Sequence, residues 1–183
     1  MHRSALACAA LLVCAMSPAV AQHADGYASF QTRDIKALSP EQVEDLREGR
    51  GMGLSLPAEL NGTPGPLHVL QLRETLNITP MQSIAIEAIR SEMSAAARRL
   101  GASIIDAEAE LDAAFKGGTA DESGIRFLTQ RIAGLNGELR ATHLSAHLKT
   151  RGVLSEIQVA AYNAARGYAD KDSAADIPQG HKH

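Results

Sequence analysis

His143 and His147 are the side chains of this sequence best placed to do chemistry. They sit four residues apart in the stretch THLSAHL, Thr142 to Leu148. On a helix that spacing puts both imidazoles on one face with about 6 Å of rise between them, close enough to converge on one ion. Neutral imidazoles suit zinc, copper, nickel or cobalt without choosing among them. The same spacing also suits two rings that only solvate the edge of a helix. At about 100° per residue, both fall beside the core stripe marked by Leu139, bordering the core. His68 is a third candidate. Other chemistry has little to build on: the sequence has no Gly-x-Ser-x-Gly elbow and no His-Glu-x-x-His. Glu108, Glu110 and Asp112 read as a solvated charged face. The expectation is a protein without enzymatic activity.

Residues 1–21 set the expected compartment. A basic start at Arg3, an apolar run from Ala5 to Met16 and the small-residue ending Ala19-Val20-Ala21 read as a cleaved export signal. No later segment reaches the roughly 20 apolar residues that a membrane span needs. Both cysteines, Cys8 and Cys14, lie in the removed part, so the exported chain has no disulfide or thiolate ligand. Cleavage also removes one cation, Arg3, from a chain that already carries 18 Lys and Arg against 21 Asp and Glu. An acidic balance argues against nucleic acid as a partner. Much of the 45% apolar content is alanine and there is no tryptophan. A thin helical core buries little by itself, so a homodimer is expected.

Helix-start signals organise the rest. Ser39-Pro40-Glu41-Gln42, Thr79-Pro80-Met81-Gln82, Thr119-Ala120-Asp121-Glu122 and Ser155-Glu156-Ile157-Gln158 all fit the capping box. They predict helices beginning near residues 40, 80, 120 and 156, with a shorter one over Leu67 to Leu76. The second helix runs to about Phe115, with Ile86, Ile89, Met93, Leu100, Ile104 and Leu111 near one stripe, and Lys116-Gly117-Gly118 ends it. The third carries Ile125, Leu128, Ile132, Leu135 and Leu139, continues through the histidines to about Thr150, and is closed by Arg151-Gly152. A short turn between the two makes an antiparallel hairpin, and the class is all-α.

Four regions follow. Residues 1–21 are the signal peptide. Residues 22–65 hold a short helix and the Gly/Pro-rich connection GRGMGLSLPAELNGTPGP. Residues 66–168 form the helical domain, and residues 169–183 form a polar tail expected to be disordered.

Two of the capping boxes, read with their neighbours, are Ile78-Thr79-Pro80-Met81-Gln82 and Leu154-Ser155-Glu156-Ile157-Gln158. The pair resembles the twin Leu-Thr-x-x-Gln motifs of the Spy/CpxP superfamily of periplasmic stress proteins, which includes heavy-metal resistance proteins and CnrX-like metal sensors. Residues 66–168 carry the resemblance, with Ile78 replacing leucine in one copy and Ser155 replacing threonine in the other. It implies a hooked four-helix fold, usually dimeric, in the periplasm, with Thr79, Gln82, Ser155 and Gln158 as the motif residues. In the CnrX-like branch the metal ligands lie upstream of each motif. His68 is 11 residues before Thr79; His143 and His147 are 12 and 8 before Ser155. Glu87 or Glu92 on the adjoining helix are the carboxylates nearest to hand. The expected role is metal resistance or envelope stress, as sensor, buffer or adaptor to a membrane sensor protein. A Spy-type chaperone for unfolded clients is the alternative, with Arg90, Arg98, Arg99, Arg126, Arg131, Arg140, Lys149 and Arg151 lining a basic face.

Overall fold

The computed structural model describes residues 27–168. The chain divides into two compact units, and residues 27–32 belong to the first. There a single 3-10 turn, Ala28–Phe30, sets the Tyr27 and Phe30 rings edge to face, 5.9 Å between centroids. The expected signal peptide and C-terminal tail lie outside the described residues.

The second unit, from Arg33, is all-helical. Its elements are α1 (Pro40–Glu48), α2 (Leu56–Glu59), α3 (Pro66–Gln71), α4 (Pro80–Lys116), α5 (Glu122–Val153) and α6 (Glu156–Arg166), with no strand among the described residues. Three of the four capping boxes form as read. Ser39, Thr79 and Ser155 each accept from the backbone N–H three residues on, and Gln42, Gln82 and Gln158 each accept from the cap N–H in return. The fourth does not form. The N–H groups of Thr119 and Ala120 still donate to Ala114 O, at 2.9 and 3.1 Å, closing the end of α4. Residue 119 is therefore not free to start a helix, and Asp121 caps α5 by accepting from Gly124 N at 2.7 Å. A second expectation also fails: Gly152 lies inside α5, which runs to Val153 and is ended by the extended backbone of Leu154. The short helix is Pro66–Gln71, with Leu72 to Asn77 forming turns.

Helices α4 and α5 form the antiparallel hairpin. Glu110 pairs with Arg131 at 3.1 Å near the turn, and Glu92 with Lys149 at 2.9 Å toward the open end. The core has two parts. At the open end, Val69, Leu76, Ile86, Leu154, Val159 and Tyr162 cluster, drawing α3, α4 and α6 together. Further along, Leu46 of α1 packs with Ala97, Ile104 and Leu139. The buried positions of α4 are Ile86, Ala97, Gly101, Ile104 and Ala107, so this helix buries small residues where α1 crosses it. A Cβ on Gly101 would stand 2.0 Å from Leu46 O, a backbone atom. Only glycine lets the two backbones approach so closely.

The two motif glutamines join the hairpin's open end. Gln82 Nε2 donates to Gln158 Oε1 at 2.8 Å, and Gln158 Nε2 donates to Gln82 Oε1 at 3.0 Å. Each amide also donates across to the chain that precedes the other's helix, Gln82 to Val153 O at 2.9 Å and Gln158 to Leu76 O at 3.2 Å. Each oxygen meanwhile accepts its own cap N–H at 3.0 Å. Two local caps thereby become one tertiary lock, in which every amide hydrogen and both oxygens are used.

Candidate functional site

The connection between α1 and α3 carries one acidic residue, Glu59, at the C-terminal end of α2. It is 6% exposed, and this carboxylate is the centre of the site. Pro57 is the second residue of the four-residue helix, Asn61 Nδ2 donates back to Pro57 O at 2.7 Å, and the turn that follows brings Thr63 to Gly65 over α5.

Three helices bring partners to Glu59. From α6 and the residues after it, the Tyr162 hydroxyl donates a short hydrogen bond to Oε1, the Tyr168 hydroxyl donates at 3.0 Å and Arg166 Nε lies at 3.4 Å. From α3, His68 Nδ1 is 3.4 Å from Oε1. From α5, His147 Nδ1 is 3.7 Å from Oε2. Oε2 itself is buried and accepts no hydrogen bond. Burial pushes the Glu59 carboxyl up, but the hydrogen bonds from Tyr162 and Tyr168 and the neighbouring His68 and His147 outweigh it, holding the group below the usual carboxylate range. The same contact acts oppositely on Tyr162. Burial and the hydrogen bond to Glu59 push its hydroxyl pKa upward, so it stays a donor.

His143 and His147 are both buried, at 3% and 6% exposure, rather than bordering the core. The loop over α5 explains the difference, because it covers a face that the helical wheel leaves at the edge. His147 Nδ1 lies 2.8 Å from Thr63 O. A carbonyl only accepts, so Nδ1 carries a hydrogen. Gly65 makes room for the ring: a Cβ there would stand 2.7 Å from His147 Nε2 and Cε1. His143 Nε2 is buried with no hydrogen-bond partner, and its ring faces Gly51. Burial, and then the nearby His147, hold the His143 pKa below the usual imidazole value, so the ring is neutral at pH 7.

All three histidines and Glu59 line one cavity of about 640 Å³. The expected carboxylates lie elsewhere. Glu92 is held by Lys149, and Glu87 accepts from Ser83 Oγ at 3.3 Å within its own helix. Sequence reading passed over Glu59 because it lies in a segment read as a connection. Its one sequence signal is that it is the sole acidic residue between Arg50 and Pro66.

The donor types suit a borderline transition metal: imidazole nitrogens plus one carboxylate. Two donor atoms, Glu59 Oε2 and His143 Nε2, are buried without partners. The His147 hydrogen bond to a backbone carbonyl is the outer contact that metal-bound histidines usually make. As the side chains lie, however, no three His, Cys, Asp or Glu groups among the described residues stand at metal-holding spacing. Oε1 is taken by two tyrosines and an arginine, and ion binding requires the remaining donors to close together.

The Thr79, Gln82, Ser155 and Gln158 motif residues stand apart from the cavity lining, in the lock at the open end of the hairpin. Among the described residues, no helix is long and apolar enough to cross a membrane. No family model matches this chain, and no curated protein or solved structure matches it.

Proposed function

We propose that this chain is an exported, non-enzymatic metal-binding protein of the Spy/CpxP type, acting in metal resistance or envelope stress. Glu59 joins His143, His147 and His68 as the candidate ligand set. The observation that carries the reading is the pair of buried, unpartnered donor atoms, Glu59 Oε2 and His143 Nε2, on residues that line one cavity together with His147 and His68. An unsatisfied buried acceptor costs about 1–3 kcal/mol, and a bound cation would remove that cost at both atoms. Support for the family comes from the reciprocal Gln82–Gln158 pair, which makes the two copies of the motif parts of one structure. The hooked four-helix arrangement, the periplasmic location and the homodimer belong to this proposal.

In the chain's own terms, Thr63 O orients His147, Gly65 leaves space for its ring, and Tyr162, Tyr168 and Arg166 hold the Glu59 carboxylate ionised. A divalent ion would supply positive charge between these groups and tie α2 and its loop to α5. Since α1 and α2 precede the hairpin and α6 follows it, such a tie is where ion binding would be felt by a sensor or adaptor partner. Cobalt is a convenient test. Added Co(II) is expected to develop visible absorption bands of a nitrogen- and oxygen-ligated site. The His143→Ala/His147→Ala variant is expected to lose them while keeping its helical circular dichroism. Bands that survive the double substitution would remove these histidines from the ligand set.

The chaperone reading has its own observation. Met81, Ile84, Leu148 and Ile157 are 74%, 62%, 68% and 83% exposed, an apolar presence that clients could use. Its basic face is less well supported, because Arg98, Arg126, Arg131, Lys149 and Arg151 are engaged in ion pairs. Suppression of client aggregation that is unchanged by metal and by the double histidine variant would favour it.

A further inference from the structure

The cavity is far larger than an ion needs. Its volume of about 640 Å³ lies in the range of sites for small organic molecules, whereas one water occupies roughly 30 Å³. Besides the histidines, its lining combines two kinds of surface. Met52, Leu56 and Leu67 line it while remaining 40%, 52% and 44% exposed, so three large apolar side chains face solvent at its rim. From α4 the lining takes Arg90, Met93, Ser94 and Arg98.

The charge of that lining is unlike the charge of the chain. The lining includes four arginines, Arg50, Arg90, Arg98 and Arg166, against two carboxylates, Glu48 and Glu59, in a protein of net charge −3. Arg50 is committed to Asp45 and Glu44, and Arg166 to Glu59 and Tyr168. Arg98 lies 3.9 Å from the Glu48 carboxylate and its Nε donates to Glu48 O at 3.4 Å, while the Arg90 side chain makes no hydrogen bond or ion pair among the described residues. The Glu59 charge is offset in part by the Arg166 guanidinium, 3.4 Å from Oε1. Arg90 and Arg98 lie about 12 Å apart along α4, with Ser94 midway, so two long side chains can bring their guanidiniums into the space between them.

We propose that this cavity binds a small amphipathic organic anion, its carboxylate held by Arg90 and Arg98 and its apolar body against Met52, Leu56 and Leu67. An apolar lining with a few converging polar groups is the general form of a small-molecule site, and guanidinium is the side chain that best matches a carboxylate. The binding shares the cavity with the metal reading and does not depend on it, since none of these five side chains is a candidate ligand.

The test uses protein stripped of metal on an immobilised chelator, so that no soluble polyanion competes. Calorimetric titrations would compare octanoate with octanol, octylammonium and inorganic phosphate, on the wild type, Arg90→Gln, Arg98→Gln and the double variant. Octanoate is expected to bind best of the four, at one molecule per chain. The double variant is expected to weaken it about tenfold or more, the loss of one or two charge-assisted hydrogen bonds. Leu56→Asp/Leu67→Asp is expected to abolish octanoate binding without loss of helical signal. The proposal is overturned if octanol binds as well as octanoate, if phosphate alone accounts for the affinity, or if removing both arginines changes nothing. A metal site can survive that failure, because its own loss is read with Co(II) and the histidine variants.

Discussion

Replacing Gly101 with alanine tests whether the close crossing of α1 and α4 is what holds the N-terminal layer on the hairpin. In an isolated helix the change stabilises by about 1 kcal/mol, because glycine is a poor helix former. Here the new Cβ would sit 2.0 Å from Leu46 O, 2.7 Å from Leu46 C and 3.1 Å from Leu46 Cα. Normal contact needs about 3.5 Å, and no rotamer change can relieve a clash with backbone. Helix α1 must then retreat by roughly 1 Å or more. Leu46, 4% exposed, would lose much of the ~1.5–3 kcal/mol that its burial supplies, and the strain of overpacking adds ~1–3 kcal/mol. The clash outweighs the propensity gain, leaving a net loss of about 1.5–5 kcal/mol. At ~2–4 °C per kcal/mol for a chain of this size, Tm falls by roughly 3–20 °C. Gly134→Ala and Gly137→Ala are the controls, since a Cβ at either α5 position meets nothing within 4 Å. Each is expected to raise stability by up to ~1 kcal/mol. Thermal and urea unfolding followed by circular dichroism reads all three. A Gly101→Ala protein as stable as the controls would refute the packing described between α1 and α4.

Other consequences are as specific. Gln82→Ala and Gln158→Ala should show a coupling of about 1 kcal/mol in a double-mutant cycle, because each amide completes the other's hydrogen bonds; additive effects would mean two independent caps. Tyr162→Phe removes a donor from a buried carboxylate and is expected to cost ~1–3 kcal/mol and to raise the Glu59 pKa, measurable by carboxyl-resolved NMR titration. Acid should destabilise the fold in two stages. The His143 pKa lies below the usual imidazole value of 6.5, so on acidification the unfolded chain takes up its proton first and stability begins to fall near pH 6.5. Glu59 lies below 4.5, so its contribution is present above that pH and is lost as the pH falls through the lower folded value. Urea midpoints from pH 7.5 to 3.5 follow both stages, and His143→Gln should remove the first.

The helix starts were legible because a capping box is local: Ser39, Thr79 and Ser155 need only the residue three places on. Thr119 fits the same pattern and fails because its N–H is held by the preceding helix, a fact about the turn and not about the motif. The histidines were legible as a pair by their spacing. Their burial was not, since it depends on a loop whose only helix is four residues long. Glu59 was hidden for the same reason. Its partners Tyr162 and Tyr168 come from more than 100 residues away in sequence, and no local pattern links them. Likewise, nothing in the sequence around Gly101 announces that Leu46 O rests against it.

The most direct measurement of the central claim is titration calorimetry of the protein with Zn, Cu, Ni and Co, beside Glu59→Gln and His143→Ala/His147→Ala variants. The comparison should be made without residues 177–183, whose His181 and His183 could imitate a site. One ion per chain bound at micromolar affinity or tighter, weakened by the Glu59 change and lost in the histidine variant, is the expected result. Binding that is absent, or indifferent to all three substitutions, would contradict the metal reading and leave Glu59, His143 and His147 as a buried polar contact that holds the α2 loop to the hairpin.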